Sequence, residues 1–261
     1  MKNKLNDLNG SEWLKFTKSW FIINAKPRTK DEIKHPAKYP EELTEKFIEF
    51  FTKKGEIVFD PFLGVGSTIV AAENLKRIGY GIELNKQFAD IAFERVKNKE
   101  YIYIGDTRKE IDRIESESID FIMTSPPYWD ILKKKRGGSD SQHTQRQKRG
   151  LKLYYSDNEL DLGNISNYET FLNELVNIFI LCEKKLKSKK YLTIIIQNFR
   201  NIDGKYITLA WDLVLKLSEI MDFVGEKIWV QDNKKMGIWG YMNTFVPNIH
   251  HHYCLIFRKR I

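Results

Sequence analysis

Cysteine is scarce in this chain, with only Cys182 and Cys254 among 261 residues. Two cysteines cannot build a disulfide framework or a four-cysteine zinc site, which excludes the small disulfide-stapled and zinc-stapled folds. Both residues lie in apolar segments, so we expect buried, unreactive thiols. The consecutive residues His250, His251 and His252 alternate between the two faces of a strand and do not make a ligand set. We therefore expect no metal site.

Long apolar runs are missing as well. No stretch approaches the ~20 residues of a membrane span, and residues 1–10 do not have the pattern of a cleavable signal. We expect a cytoplasmic protein with no membrane association. The length and a hydrophobic content of 42% predict one globular domain over residues 1–261, large enough to bury a substantial core.

Acidic residues are nearly absent from residues 133–152, which hold eight basic residues and the single acid Asp140. This basic segment carries most of the net charge of +8, and such a charge favours a polyanionic partner. We expect an insertion over 133–163 that becomes ordered when nucleic acid binds. The alternative is a solvated loop without a role. The candidate contacts are Lys133, Lys134, Lys135, Arg136, Arg146, Lys148 and Arg149.

Apolar periodicity predicts alternating strands and helices, which favour a parallel sheet covered on both faces. The helix over 41–51 has one apolar stripe. The N-terminal residues Trp13, Phe16, Trp20, Phe21 and Ile23 have roughly helical spacing, which predicts one amphipathic helix.

Two apolar segments, 223–231 and 253–259, predict a closing strand pair with the last strand antiparallel. The aromatic residues of the second insertion, 232–252, either help to recognise a target or cap the sheet. The remaining predicted strands are 57–59, 79–83, 101–104, 119–123 and 191–197, and the remaining helices are 69–75, 86–96, 168–186 and 207–221.

Three successive strand ends carry residues suited to a nucleotide-like ligand. The first strand runs into Asp60-Pro61-Phe62-Leu63-Gly64-Val65-Gly66-Ser67-Thr68, whose glycines permit positive φ and a close approach of the backbone to a ligand. The next strand ends at Glu83, about 20 residues further on, where a carboxylate can bind both hydroxyls of a ribose. The third ends before Asp106 and Thr107, which can accept from an amino group of a base.

The fourth strand ends in Ser125-Pro126-Pro127-Tyr128. Two prolines fix φ and remove two backbone donors, so the loop is stiff and extended. Its carbonyls are left without local amide partners and can accept hydrogen bonds from another molecule. A rigid carbonyl beside an aromatic face is suited to holding the exocyclic amino group of a planar base.

These motifs together resemble the S-adenosylmethionine-dependent amino methyltransferases of DNA, which modify the exocyclic nitrogen of cytosine or adenine. The resemblance covers most of the chain beyond residue 30. It runs from residues 35–43 through 60–68, Glu83, Asp106 and 125–128 to residues 246–253. It implies an α/β, Rossmann-like class I methyltransferase fold, a mostly parallel seven-stranded sheet with an antiparallel last strand and helices on both faces.

The resemblance also implies roles for single residues. Serine at the first position of the tetrapeptide is usual in cytosine-N4 enzymes, whereas Asp or Asn is usual for adenine-N6. Ser125, Pro126, Pro127 and Tyr128 are the candidate catalytic residues, with Tyr128 stacked on a flipped-out base of double-stranded DNA. The candidate S-adenosylmethionine residues are Pro36, Lys38, Asp60, Phe62, Gly64, Gly66, Ser67, Thr68, Glu83, Asp106 and Thr107.

Other functions remain open from the sequence. The enzyme can instead modify adenine N6, or a base of RNA, or the chain can be a catalytically silent nucleic-acid-binding subunit. A cognate restriction endonuclease or a second subunit is a further possible partner. A carbon-5 cytosine enzyme is disfavoured, because neither Cys182 nor Cys254 follows a proline as that chemistry requires.

Overall fold

The computed structural model describes residues 3–24, 39–129, 158–201 and 203–261. Their main element is an eight-stranded sheet with the order β1-β9-β10-β6-β5-β2-β3-β4, and β7 and β8 form a separate hairpin. The strands are β1 Trp20–Ile22, β2 Ile57–Asp60, β3 Ile78–Glu83, β4 Ile102–Ile104, β5 Ile119–Thr124, β6 Leu186–Ile196, β7 Phe199–Arg200, β8 Tyr206–Ile207, β9 Asp222–Val230 and β10 His251–Arg258.

The strand directions match the predicted fold. All neighbouring pairs of the large sheet are parallel, except that β10 runs antiparallel to both β6 and β9. Without the edge strand β1, the remaining strands have the order of a Rossmann-like class I methyltransferase sheet with an antiparallel last strand. The predicted fold class is confirmed, with one strand more than expected at the edge.

The direction of winding reverses between β2 and β5. From β2 the chain moves outward through β3 and β4, and it then returns to β5 on the other side of β2 before continuing to β6. Ligands of doubly wound sheets bind in the crevice at such a reversal, beside the carboxyl ends of the strands. Asp60 ends β2 and Thr124 ends β5, so both residues lie at this crevice.

Helices cover both faces of the sheet. On one face Phe47, Ile48 and Phe51 of α2 pack with Phe121 and Met123 of β5. On the other face, Ile122 of the same strand packs against the long helix α6 (Tyr168–Lys185) and against α7 (Leu209–Leu217). The helices are α1 Gly10–Phe16, α2 Glu41–Phe51, α3 Ser67–Asn74, α4 Lys86–Arg95, α5 Thr107–Glu110, α6 Tyr168–Lys185 and α7 Leu209–Leu217, with 3₁₀ turns at Ile111–Arg113 and Leu162–Asn164.

The N-terminal segment differs from the prediction of one amphipathic helix. The helix ends at Phe16, and β1 then pairs in parallel with β9, with Trp20 opposite Ile228. The buried ammonium of Lys227 donates to the carbonyl oxygens of Phe16 and Lys18, which stabilises the chain where it leaves the helix. Aromatic spacing alone does not distinguish a long helix from a short helix followed by an edge strand.

Several expectations fall outside the described residues. Pro36, Lys38 and residues 133–157 of the basic insertion belong to this group. The remaining end of that insertion, 158–163, contains Leu162, which is buried in the main core. Within the described ranges, no helix is long and apolar enough to cross a membrane.

Candidate active site

Asp60 connects the ends of β2 and β5. Its carboxylate is fully buried and accepts four hydrogen bonds, so every oxygen is occupied by the protein itself. Burial raises the pKa of Asp60, although the hydrogen bonds from its donors oppose that change. The side chain therefore acts as a structural junction. The donors are Phe62 N at 3.0 Å and Thr124 Oγ1 at 2.6 Å to Oδ1, with Tyr39 Oη at 2.8 Å and Thr68 Oγ1 at 2.5 Å to Oδ2.

The glycine turn between β2 and α3 needs its glycines. Gly64 has φ +57° and Gly66 has φ +85°, and Gly66 is the N-cap of α3. A Cβ on Gly66 would lie 3.0 Å from Cβ and 3.2 Å from Cα of Ala92, so α4 packs directly on the turn. The turn thus has a left-handed backbone and a tight neighbour, both of which exclude a larger residue.

Glu83 at the end of β3 closes over this turn. Its Oε2 accepts from Gly64 N at 2.6 Å and its Oε1 accepts from Asn85 N at 2.8 Å. Burial raises the pKa of Glu83 to about 7, and the two backbone N–H groups partly oppose this rise. A carboxylate held at the end of the strand beside a glycine turn can accept hydrogen bonds from the two hydroxyls of a ribose.

Asp106 and Thr107 at the end of β4 already have protein partners. The Asp106 carboxylate caps α5 by accepting from Arg108 N at 2.9 Å, and it forms an ion pair of 2.7 Å with the Arg108 guanidinium. Arg108 in turn pairs with Glu174 of α6 at 2.6 Å. The Thr107 hydroxyl donates to the Pro61 carbonyl oxygen at 2.5 Å, which links the ends of β4 and β2.

The Ser125–Tyr128 loop leaves β5 directly after Thr124. The ring of Tyr128 meets Phe199 edge-on with 6.3 Å between centroids, and its hydroxyl lies 3.5 Å from Nδ1 of His252. Burial raises the pKa of Tyr128, which keeps its phenol protonated at neutral pH. The next residue, Trp129, donates from Nε1 to the Ile165 carbonyl oxygen at 3.0 Å. The loop is therefore supported on both sides.

His252 lies on the face of β10 that meets this loop. Its ring stacks on Trp229 with 4.6 Å between centroids. Burial and the positive charges of Lys234 and His251 lower the pKa of His252 to about 3, so the ring is neutral at physiological pH. Its neighbour His251 meets Tyr253 instead. Within β10, His251 and His252 thus meet different neighbours, whereas His250 precedes the strand. No group of three or more His, Cys, Asp or Glu suited to a metal ion occurs in the part of the chain that the structure describes.

The structure brings most of the predicted ligand residues to one edge of the sheet. Asp60 is hydrogen-bonded to Thr68, and Glu83 is hydrogen-bonded to Gly64. Gly66 lies in the same turn, as the N-cap of α3. Phe62 packs on the main core near Phe179, and the Ser67 hydroxyl lies 3.4 Å from Oε1 of Glu41.

The sequence reasoning missed Tyr39, Thr124 and His252. Tyr39 precedes the proline before α2, and Thr124 precedes the tetrapeptide, so proximity to the motifs was an available signal for both. His252 was included in the resemblance over 246–253 and in the second insertion, and metal binding was the one role weighed for it individually. Its contact with Tyr128 depends on the pairing of β10 with its neighbours, which the local sequence does not specify.

Residues 2–94 match the family model described as DNA methylase, N6_N4_Mtase. This segment contains the glycine turn and Glu83, whereas the Ser125–Tyr128 loop lies beyond it. The match therefore covers the glycine turn and Glu83, but not Asp106, Thr107 or the loop.

Curated relatives agree with this family. The type II methyltransferase M.BglII of Bacillus subtilis is 37% identical over 75 residues, covering 29% of this chain and 21% of that protein. The orphan methyltransferase M.BamHII of Bacillus amyloliquefaciens is 44% identical over 82 residues, covering 30% of this chain and 31% of that protein. The chain thus spans between a fifth and a third of the length of these two relatives.

Among solved structures, the tRNA (m1A58) methyltransferase TrmI of Aquifex aeolicus is similar with a TM-score of 0.46 and 9% identity, over 90% of this chain and 76% of that chain. The family match over residues 2–94 and the two curated relatives thus show that this segment is similar to DNA amino-methyltransferases.

Proposed function

We propose that this protein transfers a methyl group from S-adenosylmethionine to the exocyclic N4 of cytosine in DNA. The observation that carries the proposal is the hydrogen bond between Thr124 and Asp60. It joins the glycine turn, which suits a nucleotide-like donor, to the Ser125–Tyr128 loop, which suits a planar base. Two adjoining pockets at one sheet edge are what a transfer between two bound molecules requires.

The residues at the glycine turn fit the donor. Glu83 would accept the ribose hydroxyls, while the turn from Phe62 to Thr68 would surround the methionine part. Asp106 and Thr107 would approach the adenine, with the Asp106 carboxylate shared with Arg108. Pro36 and Lys38, outside the described residues, would lie near the methionine carboxylate.

The exocyclic amine of the base attacks the methyl group directly, so the reaction needs no protein nucleophile. S-adenosylmethionine supplies a methyl group on a positively charged sulfonium, an activated leaving group. The Pro126 carbonyl and the Ser125 hydroxyl accept hydrogen bonds from the amine, which localises its lone pair and draws off the developing positive charge. Tyr128 stacks on the base and fixes its plane, an interaction worth ~1–3 kcal/mol. The amine nitrogen forms the new bond to the methyl carbon, the carbon–sulfur bond breaks, and the amine then releases a proton to solvent.

The base must leave the duplex to reach this loop. The basic residues Lys133–Arg136, Arg146, Lys148 and Arg149 would hold the phosphate backbone there. Serine at position 125 favours cytosine over adenine. The alternatives are adenine N6, an RNA base, or a silent subunit that works beside an active one or a restriction endonuclease.

Methylated nucleosides decide among these alternatives. Purified protein is incubated with S-adenosylmethionine and either DNA or RNA, and the polymers are digested and analysed by mass spectrometry. We expect N4-methylcytosine from DNA alone. N6-methyladenine as the sole product refutes the base assignment, and product from RNA alone refutes the polymer. A folded protein that binds the cofactor product S-adenosylhomocysteine in calorimetry but yields no methylated base is the silent subunit.

A further inference from the structure

We propose that the β9–β10 loop, residues 231–250, inserts apolar side chains between base pairs of DNA next to the flipped base. The inference rests on the proposed function and deepens it, because it assigns the step that opens the duplex. Apolar side chains that enter a base step unstack it and kink the helix, and this favours release of the neighbouring base.

The loop presents large apolar side chains to solvent. Five apolar residues of the loop are each between 75% and 89% exposed to solvent. Such a concentration of exposed apolar side chains is unusual on a monomeric protein. The sequence left open whether these aromatic residues cap the sheet, and their exposure favours a target-facing role instead. They are Met236, Ile238, Tyr241, Met242 and Phe245.

The loop has a defined shape without burying these side chains. Asn248 fastens its base, because its Oδ1 accepts from Gly237 N at 2.8 Å while its Nδ2 donates to Gly237 O at 2.9 Å. Gly240, with φ +67°, forms a second turn by accepting from Asn243 N at 2.9 Å and Thr244 N at 2.8 Å. The apolar tip is therefore preorganised, so inserting it would cost little ordering entropy.

The loop begins and ends beside the candidate catalytic loop. Its last residue precedes β10, where His252 lies within 3.5 Å of the Tyr128 hydroxyl. At its start, Lys234 is close enough to act electrostatically on both His251 and His252. A base that stacks on Tyr128 would thus come from a duplex whose neighbouring steps face the β9–β10 loop.

Charge at the base of the loop favours DNA as the occupant. Residues 231–250 contain Lys234 and Lys235 and a single acid, Asp232, which accepts a hydrogen bond from Asn24, and the whole chain has a net charge of +8. Two lysines directly before an apolar tip match a duplex, whose phosphates surround stacked bases. A second copy of this loop would bring the same lysines towards each other, which like charges oppose.

Plasmid unwinding tests the inference without a known recognition sequence. A closed circular plasmid is saturated with protein, relaxed by a topoisomerase and deproteinised, and the supercoils left behind measure unwinding. We expect unwinding by the unchanged protein and an about tenfold smaller effect with Tyr241→Ser and Phe245→Ser, in line with the stacking energy of one or two side chains. Leu215→Ser is the matched control, because Leu215 is 72% exposed on α7 and does not belong to this loop, and its variant should unwind like the unchanged protein.

Four outcomes would overturn the inference. Insertion by the β9–β10 loop is wrong if the unchanged protein does not unwind saturated plasmid, or if the loop variants unwind it as well as the control does. A lower melting temperature in the loop variants means that another part of this chain covers the loop. A dimer in light scattering that the variants abolish means that a second copy covers it. Methyl transfer to the same plasmid is measured in parallel. Unwinding without transfer would contradict the proposed function but still support insertion by the β9–β10 loop.

Discussion

Thr124 and Thr193 are fully buried on the neighbouring strands β5 and β6, yet their hydroxyls differ in what they contact. Thr124 donates to the Asp60 carboxylate at 2.6 Å, whereas the Thr193 hydroxyl has no hydrogen-bond partner within the described ranges. The two residues therefore form a matched pair for measuring what the Asp60 junction contributes.

Thr124→Val should destabilise the protein and reduce methyl transfer. The substitution keeps the shape and removes a donor to a buried carboxylate, which costs about 1.5–3 kcal/mol of the free energy of unfolding. Urea denaturation measures this loss. Thr193→Val, which removes a hydroxyl without a partner, should be neutral or stabilising. Equal losses in both variants would contradict the role of the junction.

The same variant should separate turnover from cofactor affinity. Thr124 lies between the two halves of the site and next to Ser125, so its loss should lower kcat about tenfold while the affinity for S-adenosylhomocysteine changes less. Steady-state kinetics and calorimetry give the two values. A fall in affinity with unchanged kcat would instead place Thr124 with the cofactor pocket alone.

Gly66→Ala should weaken both folding and cofactor binding. The left-handed backbone at φ +85° costs an alanine about 1–2 kcal/mol, and contact with the Ala92 backbone adds to this cost. Thermal denaturation and calorimetry with S-adenosylhomocysteine measure the two effects. Gly10→Ala is the control, because a Cβ at Gly10 meets nothing within 4 Å and alanine favours helix α1. Similar behaviour of the two variants would argue against a strained turn.

Glu83 should make both stability and cofactor affinity depend on pH. Its folded pKa of about 7 lies above the ordinary 4.5, so the folded state binds the proton more tightly than the unfolded state. Its contribution to stability is full below pH 4.5 and is lost as the pH rises through 7. Cofactor affinity should change in the opposite direction, because the deprotonated carboxylate is the better acceptor for ribose hydroxyls.

Calorimetry with S-adenosylhomocysteine between pH 6 and 8 checks the second of these effects. The unchanged protein should bind more tightly as the pH rises, whereas Glu83→Gln should bind weakly with a flat profile. An unchanged pH dependence in the variant would assign the titration to another group.

Tyr128→Phe should retain most methyl transfer, whereas Tyr128→Ala should lose about 10- to 100-fold, the value of one stacked base. The ring and its contact with Phe199 survive in the phenylalanine variant, and the lost hydroxyl contact with His252 is long, at 3.5 Å. Transfer assays on DNA with equal cofactor saturation compare the two. If the phenylalanine variant is as inactive as the alanine variant, the hydroxyl and not the ring is the working group.

Elements with strong local signals could be predicted well from the sequence. Helix α2 has its predicted bounds, because an apolar stripe and flanking polar residues define it within eleven residues. Strand β6 begins at Leu186, five residues before the predicted start, because Lys187 and Lys190 make its first half look polar. Those lysines pair with Asp120 and Glu56, contacts that only the folded sheet creates. Strand β1 was missed for the same reason, since its partner β9 lies about 200 residues away.

In the candidate site, too, the features with a local sequence pattern could be predicted, whereas the contacts made only on folding could not. The glycine turn, Glu83 and the Ser125–Tyr128 loop each have a recognisable local pattern, and parallel strands bring their ends to one edge. The junction at Asp60 was interpreted as a ligand contact, because the sequence does not reveal that Tyr39, Thr68 and Thr124 would occupy its oxygens.

The two buried thiols lie on opposite faces of the sheet, Cys182 in α6 and Cys254 in β10, and burial raises the pKa of each. An alkylating reagent attacks thiolates and needs access, so each cysteine reacts only after its own side of the protein opens. The molecule thus contains two natural reporters of local opening. Comparing their alkylation rates by peptide mass spectrometry would reveal whether the two layers separate from the sheet together or one before the other.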